Sequence, residues 1–358
     1  MVRRIVLTLS VLFAVLQVYT QTAKYSNEFL SIGVGARGLG MSGAVSASTK
    51  NAEAAYWNPA GLALMKGDRE LALMHSEYFA GIAKYDYGTL AARIDNTSAI
   101  GLSVIRFGVD DIPDTSELID SEGNINYNKV KSFSAADYAF MFTYARKTQT
   151  EGLQYGGNVK VIRRTAGDFA RSWGFGLDFG MRYQTGNWIF SAMGRDITTT
   201  FNAWSYDLND QMKEVFTLTG NDIPESSLEI TTPKIILASA RKFKISPKWQ
   251  LLSELDLNVS TDGKRNVPVK TDIISIDPKL GLELGFNNFI FLRGGVGNIQ
   301  QVHTVKGKKE TTFQPNIGLG LNIKDRFFID YAFTDIGNNS IALYSNVFSL
   351  RLMFNKKE

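Results

Sequence analysis

The chain alternates, over long stretches, between apolar residues and residues that are small or charged. The clearest stretch runs from Trp173 to Tyr183, where every odd position is apolar or aromatic and every even position is glycine or charged. A period of two residues is that of a β-strand whose two faces meet different surroundings. In a soluble sandwich the apolar face points into the core, whereas in a transmembrane barrel it points at lipid. The alternation therefore predicts strands, and other features must decide between these two folds.

The length and number of the strands favour a membrane barrel. A tilted strand needs about 9 to 11 residues to cross a bilayer, whereas strands of soluble proteins most often have about 5 to 6. Most of the strands that we predict are long, and their number, fourteen, is even, as in single-chain bacterial outer-membrane barrels. They lie near 70–79, 84–94, 98–110, 135–147, 153–165, 172–185, 187–197, 232–245, 248–260, 275–287, 289–299, 311–323, 327–336 and 345–354.

The connections between these strands differ in length in a regular way. The short ones are 95–97, 148–152, 186, 246–247, 288 and 324–326. Between them lie long polar connections at 111–134, 197–231, 261–274 and 300–310. Outer-membrane barrels have short turns at the periplasmic rim and long loops outside, whereas a sandwich has no reason for this asymmetry.

These features together predict an all-β chain that forms a 14-stranded antiparallel transmembrane β-barrel over residues 68–358. Aromatic residues near the predicted strand ends fit the girdles at the two membrane interfaces. The chain has no cysteine, and a closed barrel needs no disulfide because each strand pairs with two neighbours and no edge is left. A soluble β protein, which would share the alternation, is the alternative.

The first twenty residues resemble an export signal. Arg3 and Arg4 precede an uncharged run of fifteen residues, 5–19. That run is shorter than the roughly 20 apolar residues of a membrane-spanning helix and typical of a cleaved signal peptide. We predict cleavage near residue 20 and localisation in the outer membrane, with an uncleaved N-terminal anchor as the alternative. Without a cysteine near the cut, the protein is not a lipoprotein.

Neither charge nor motifs indicate a nucleic-acid partner or a catalytic site. Without Arg3 and Arg4, the chain has 37 basic and 35 acidic side chains, a balance that predicts no nucleic-acid binding. The two histidines, His75 and His303, lie far apart with no Ser or Cys partner at an identifiable spacing, so we predict no enzyme activity and no zinc site. The acidic loop 110–124 leaves a calcium site open, with a solvated loop as the alternative, because it lacks EF-hand spacing.

A glycine-rich match, GVGARG at 33–38, has the GxGxxG pattern of dinucleotide-binding sites. Such a site needs the pattern between a strand and a crossover helix, and the strands predicted here supply no crossover helices. We therefore predict no cofactor, and we expect these glycines to allow close packing instead.

Residues 21–67 differ from the rest because they lack the alternation and are rich in small residues. Asn51 to Trp57 can form a short helix that ends before Pro59, since the residue preceding proline is pushed out of the helical region. The aromatic and leucine side chains require burial. We therefore predict a segment that plugs the lumen and leads into the first strand. Its motif residues are Gly35, Gly38, Gly40, Gly43, Tyr56, Trp57, Asn58, Pro59 and Gly61.

Two stretches of this segment carry a family resemblance. GARGLGMSGA at 35–44 and the Trp57 to Leu62 run, WNPAGL, resemble the N-terminal signature of FadL-like outer-membrane barrels. More closely, they resemble the PorV/PorQ family of type IX secretion proteins of Bacteroidetes. The sequence departs in one respect from outer-membrane barrels, which often end on an aromatic residue: the last aromatic residue here, Phe354, lies four residues before the end.

The resemblance implies a non-catalytic role in type IX protein secretion. The expected partners are outer-membrane lipid, other type IX secretion components and the C-terminal signal domains of secreted cargo, with loops 111–134 and 198–231 as the contact surface. The alternative is a FadL-type channel for uptake of hydrophobic small molecules. That function needs an apolar pocket in the lumen, and the lumen-facing positions of the strands are mostly Gly, Asp, Arg, Ser and Thr. A secreted soluble β enzyme is a third possibility.

Overall fold

The computed structural model describes residues 26–115, 118, 123–303, 309–336 and 344–355. Strands dominate this part of the chain, and seventeen of them form one sheet. They are β1 Arg69–Tyr78, β2 Ala83–Arg93, β3 Ser98–Asp114, β4 Lys131–Lys147, β5 Leu153–Ala166, β6 Ala170–Thr185, β7 Trp188–Arg195, β8 Thr200–Tyr206, β9 Ser227–Thr231, β10 Lys234–Lys244, β11 Trp249–Ser260, β12 Val269–Lys270, β13 Ser275–Phe286, β14 Ile290–His303, β15 Lys309–Ile323, β16 Phe327–Thr334 and β17 Ser345–Phe354.

Fourteen of these strands close into a ring, which confirms the predicted fold. The ring runs through β1 to β7, then β10, β11 and β13 to β17, and every pairing is antiparallel. Closure is made by β1 and β17, which pair from Arg69 with Phe354 to Glu77 with Asn346. No strand of the ring keeps an unpaired edge, so the backbone can lie in hydrocarbon without unsatisfied polar groups.

The apolar face of the strands points outward. Along β6, Trp173 is 57% exposed and Phe179 is 43% exposed, while Gly174, Asp178 and Arg182 on the opposite face are buried. The same arrangement holds around the ring, where large apolar side chains form an exposed band. A soluble sandwich would bury this face, so the outward orientation is that of a transmembrane barrel.

The two rims differ, largely as predicted. We call the rim with the connections 94–97, 148–152, 186–187, 245–248, 287–289 and 324–326 the turn rim, and the opposite one the loop rim. The loop rim also has two short connections, at 79–82 and 167–169, that the sequence asymmetry did not indicate.

The predicted loop 197–231 is wrong in part, because it contains regular structure. β8 and β9 form a hairpin that extends the sheet from β6, and a helix spans Asp210–Leu218. The helix begins where the Asn209 side chain accepts a hydrogen bond from the amide of Met212, a common N-cap. These elements are short, and they lie outside the band of membrane-length alternation on which the prediction depended.

Residues 26–65 lie inside the ring. They contain 3-10 helices at Glu28–Ser31 and Pro59–Leu64 and short α-helices at Ala36–Gly40 and Ala54–Trp57. Hydrogen bonds join the segment to strands on different sides of the barrel: the Ala36 amide to Ser349 on β17, the Ser46 amide to Asp256 on β11, and Asn58 to the Met181 carbonyl on β6. No helix in the described part of the chain is long and apolar enough to cross a membrane.

Candidate functional site

Trp57 is the centre around which the glycines of the segment pack. Its indole N–H donates to the carbonyl of Val34 at 3.0 Å. A Cβ atom at Gly33 or Gly38 would lie 3.0 or 2.6 Å from the Trp57 ring, and one at Gly43 would lie 3.3 Å from it. Any side chain at Gly38 would therefore displace the indole. The structure thus brings Gly38, Gly43 and Trp57 together, as expected for close packing.

Gly35 and Gly40 approach other parts of the lumen. A Cβ at Gly35 would lie 2.5 Å from a carboxylate oxygen of Glu53, and one at Gly40 would lie 3.1 Å from the backbone of Gly318 on β15. Glu53 is buried, and that burial raises its pKa to about 7, against the opposing charge of Arg351. The glycines of the GxGxxG match therefore serve packing inside the barrel. Within the described residues, which begin at 26, a 3-10 helix and no strand precedes them.

The Asn-Pro-Ala-Gly run fixes the segment against the wall. The Asn58 side-chain oxygen accepts from the amide of Ala60 at 3.1 Å, and its amide donates to the Met181 carbonyl at 3.2 Å. Pro59 begins the 3-10 helix and lies against Gly156 of β5, where a Cβ would be 2.7 Å from the Pro59 carbonyl carbon.

Gly61 lies within the 3-10 helix, several residues before β1, and does not itself turn the chain into that strand. What requires glycine there is close approach, since a Cβ would collide with the carbonyl oxygen of Thr49.

A cavity of about 940 Å³ opens at the loop rim above the segment. Its floor is made by the segment itself, through Ile32, Leu39, Tyr56 and Trp57. Apolar wall residues are Tyr78, Phe107 and Ile236. Polar side chains also line the space, among them Ser42 and Ser46 of the segment and Arg195, Asp277 and Lys279 of the strands. We call this space the loop-side cavity.

Tyr56 is held rigidly at the floor of the loop-side cavity. Its hydroxyl donates to the Leu30 carbonyl at 2.6 Å. The Arg195 guanidinium lies 4.6 Å from the centre of the Tyr56 ring and donates to the Tyr56 carbonyl at 3.0 Å. Tyr56 and Trp57 also contact edge to face, with ring centres 5.0 Å apart. The floor is therefore an ordered aromatic surface.

Charged side chains of the lumen hold the other parts of the segment. The Glu254 carboxylate accepts a hydrogen bond from the Ala47 amide at 2.6 Å, and the Asp256 carboxylate accepts one from the Ser46 amide at 3.1 Å. Arg182 donates to the Ala47 carbonyl at 2.8 Å. Lys160 is buried and pairs with Asp178 at 2.8 Å and also with Asp196, while Asn158 beside it donates to the Ala55 carbonyl at 2.8 Å.

The sequence indicated that these charged residues face the lumen but not what they do there. Alternation shows only which face of the strand Arg182 and Asp178 occupy. Their partners come from the segment or from other strands, and no local pattern marks those contacts.

A smaller cavity, of about 270 Å³, opens at the turn rim on the other side of the segment. We call it the turn-side cavity. An ion-pair network crosses its inner wall: Arg37 pairs with Glu283 at 2.9 Å, and Arg293 pairs with Glu283 at 2.7 Å and with Asp330 at 2.6 Å. Arg37 thus ties the segment to the barrel wall at the turn-side cavity, and the segment lies between the two cavities.

The residues considered for catalysis or calcium do not form a site in the described part of the chain. The His75 side chain is half-exposed on the outer face, 2.7 Å from Asp86, and the side chain of His303 lies outside what is described. In the 110–124 loop, Asp110 lies 3.4 Å from Lys84 and 3.5 Å from Arg106, which oppose cation binding. Glu117, Asp120 and Glu122 are outside the described residues.

Solved structures similar to this chain cover nearly all of it. The CymD monoaromatic hydrocarbon channel matches with a TM-score of 0.57 and 14% identity over 91% of this chain and 99% of its own. The Ralstonia pickettii toluene transporter TbuX matches with a TM-score of 0.55 and 14% identity over 90% and 99%. A Pseudomonas aeruginosa FadL homologue matches at 0.54 and 12% over 90% and 98%. No protein-family model matches the sequence, and no curated protein matches it.

These similarities contradict the expected role in type IX secretion. The similar structures are hydrocarbon channels or transporters and a FadL homologue, which agrees with the alternative expectation, and the PorV/PorQ resemblance and the Bacteroidetes origin have no support. The physical reason for the error is that GARGLGMSGA and WNPAGL describe how a segment packs on Trp57 and β6, and that packing carries no information about cargo. The chain has the fold of FadL-like outer-membrane β-barrels.

Proposed function

We propose that this protein is an outer-membrane channel for the uptake of small hydrophobic molecules. The observation that carries the proposal is the loop-side cavity, about 940 Å³ in volume, whose floor presents the apolar and aromatic side chains Ile32, Leu39, Tyr56 and Trp57. That volume lies within the range of about 300 to 1,000 Å³ of small-molecule sites. The similarity in fold to hydrocarbon channels supports it.

The position of the apolar surface answers the objection raised by the polar lumen. The strands do present polar and small residues inward, but the floor of the cavity comes from Ile32, Leu39, Tyr56 and Trp57 of the segment. A hydrophobic molecule that enters from the loop rim would bury apolar surface against this floor. Each Å² of apolar surface removed from water stabilises the bound state by about 25 cal/mol.

In this proposal the segment 26–65 is the plug and the gate of the channel. It separates the two cavities and is held by hydrogen bonds rather than by an apolar interface alone. Passage through the barrel therefore requires part of the segment to move. The exposed apolar band contacts outer-membrane lipid, the export signal directs the chain there, and the protein has no catalytic role.

Uptake of radiolabelled toluene by intact cells tests the proposal. Cells that lack the gene are complemented with the natural chain or with Ile236→Trp, which fills the cavity from β10. The control is Ile235→Trp, because Ile235 faces outward on the same strand and is 48% exposed. We expect the natural chain and the control to restore uptake and Ile236→Trp to reduce it several-fold. Equal uptake with and without the natural chain would refute the proposal.

A further inference from the structure

The turn-side cavity carries more positive than negative charge, and the excess lies at its mouth. Six basic and four acidic side chains line it. The inner ones neutralise one another, because Arg37 and Arg293 pair with Glu283 and Asp330, and Arg351 lies 3.7 Å from Glu70. The remaining basic residues are Lys50, Lys66 and Lys242, and the remaining acidic residue is Asp325, whose carboxylate accepts hydrogen bonds from Asn288 and Asn322. Three positive charges thus stand against one negative charge.

These three lysines come from separate parts of the chain and meet at one opening. Lys50 and Lys66 belong to the segment and to its link to β1, and Lys242 is near the end of β10. Within the residues that the structure describes, none of the three forms an ion pair with a carboxylate. Partial burial, together with the charges of Lys242 and Lys66, lowers the pKa of Lys50 to about 8. An anion among them would relieve this repulsion.

Apolar side chains also line the turn-side cavity. Leu252, Phe291, Phe328 and Met353 line the cavity from four different strands. The space, about 270 Å³, suits a molecule with one ring or a short chain. An unpaired cationic mouth beside an apolar wall is complementary to a small amphiphile with an anionic end.

We propose that the turn-side cavity binds small amphiphilic carboxylates, with the carboxylate at Lys50, Lys66 and Lys242 and the apolar part against Leu252 and Phe291. This inference rests on the proposed function, since it makes the cavity the place where an anionic substrate is held before it leaves at the turn rim. The inference adds anionic substrates to the proposed function, because the apolar floor of the loop-side cavity has no preference for a carboxylate.

Binding of benzoate and of its neutral counterpart benzyl alcohol to the purified barrel in a non-ionic detergent tests the inference. The variant Lys50→Gln/Lys66→Gln/Lys242→Gln removes three positive charges from the mouth. The control Lys244→Gln/Lys248→Gln/Lys324→Gln removes three from exposed positions near the turn rim that do not line the cavity. Calorimetry gives the affinities, and heat-modifiable migration on a gel verifies that each variant is folded.

We expect benzoate to bind the natural chain and the control equally and to bind the cavity variant about tenfold more weakly, since exposed and half-exposed ion pairs each contribute modestly. Benzyl alcohol should bind weakly to all three. Unchanged benzoate affinity in the cavity variant would overturn the inference. So would competition showing that inorganic phosphate alone binds as tightly as benzoate, because the apolar wall would then have no part.

The two proposals can fail separately. If the cavity variant loses benzoate binding while the natural chain restores no toluene uptake in cells, the anion site stands and the hydrocarbon channel does not. If toluene uptake is restored and benzoate affinity is the same in all variants, the channel stands and the anion site does not.

Discussion

Replacing Gly295 with alanine should loosen the segment without disturbing the barrel wall. Gly295 of β14 faces inward, and a Cβ there would lie 2.6 Å from the amide nitrogen of Ser42 and 2.7 Å from the carbonyl oxygen of Met41. Ordinary contacts of a Cβ begin near 3.4 Å, and the carbonyl carbon of Met41 would lie closer still, so the segment must retreat by more than about 0.8 Å. All three neighbours are backbone atoms, which cannot rotate away as a side-chain end could.

The expected cost is about 1 to 3 kcal/mol, the usual penalty for overpacking by a methyl group. The chain offers a matched control one residue away. Gly294 faces outward, and a Cβ there has only the Asn316 carbonyl oxygen, at 4.0 Å, in reach. Gly294→Ala should therefore be neutral or slightly stabilising, since alanine restricts the unfolded chain more than glycine does.

Limited trypsin digestion of the folded protein measures the difference. Cleavage after Arg37, which pairs with Glu283 inside the lumen, requires the segment to leave the lumen. A cost of about 1 to 3 kcal/mol raises the open population by about 5- to 150-fold. The cleavage rate should rise by that factor in Gly295→Ala and not in Gly294→Ala. Equal rates in the two variants would refute the reasoning that inward glycines serve close approach of the segment.

Three further changes test other contacts of the lumen. Burial raises the pKa of Glu53 to about 7, so the contribution of Glu53 to the unfolding free energy should be greatest below about pH 4.5 and fall by about 3 kcal/mol as pH rises through 7. Glu53→Gln should remove this part of the pH dependence, as the difference between the two proteins' unfolding free energies measured at each pH. Asn58→Ala removes a buried side chain that makes two hydrogen bonds and should lower the urea midpoint by the equivalent of about 1 to 2 kcal/mol, whereas an unchanged midpoint would show that those bonds are not needed. Lys160→Met leaves Asp178 and Asp196 buried without their cation and should cost about 3 to 5 kcal/mol. Adding Asp178→Asn should recover part of that loss. A Lys160→Met variant as stable as the natural chain would contradict the prediction that the lysine is needed to neutralise the two carboxylates.

The sequence was sufficient for the barrel because lipid imposes one rule on every strand. Outward positions such as Trp173 and Phe179 must be apolar along a membrane-length stretch, so the strand count and most boundaries could be predicted from alternation alone. β8, β9 and the helix Asp210–Leu218 lie beyond that rule. Their local signals are no stronger than those of an ordinary polar loop, so they were missed.

The role of a site residue could be predicted only where its residue type indicates the role by itself, without knowledge of its partner. Glycines beside a buried Trp57 indicate close packing, and this could be expected from the sequence. The pairing of Arg37 with Glu283 joins residues 246 positions apart, and no periodicity connects them. The apolar floor of the loop-side cavity could not be predicted for a related reason. Alternation identifies the lumen-facing residues of the strands, whereas the floor consists of residues of the segment, which has no alternation.

Closure of the ring by β1 and β17 also constrains the order of assembly. The first and last strands of the barrel are partners, so no complete enclosure exists until β17 has been delivered. Residues 26–65 precede β1 in the chain and yet bind β17, through the Ala36 amide and Ser349. The segment is thus made before every strand, yet it cannot complete its contacts until the last strand is in place. Until the seam closes, the contacts with β17 that hold the segment in the folded protein do not exist.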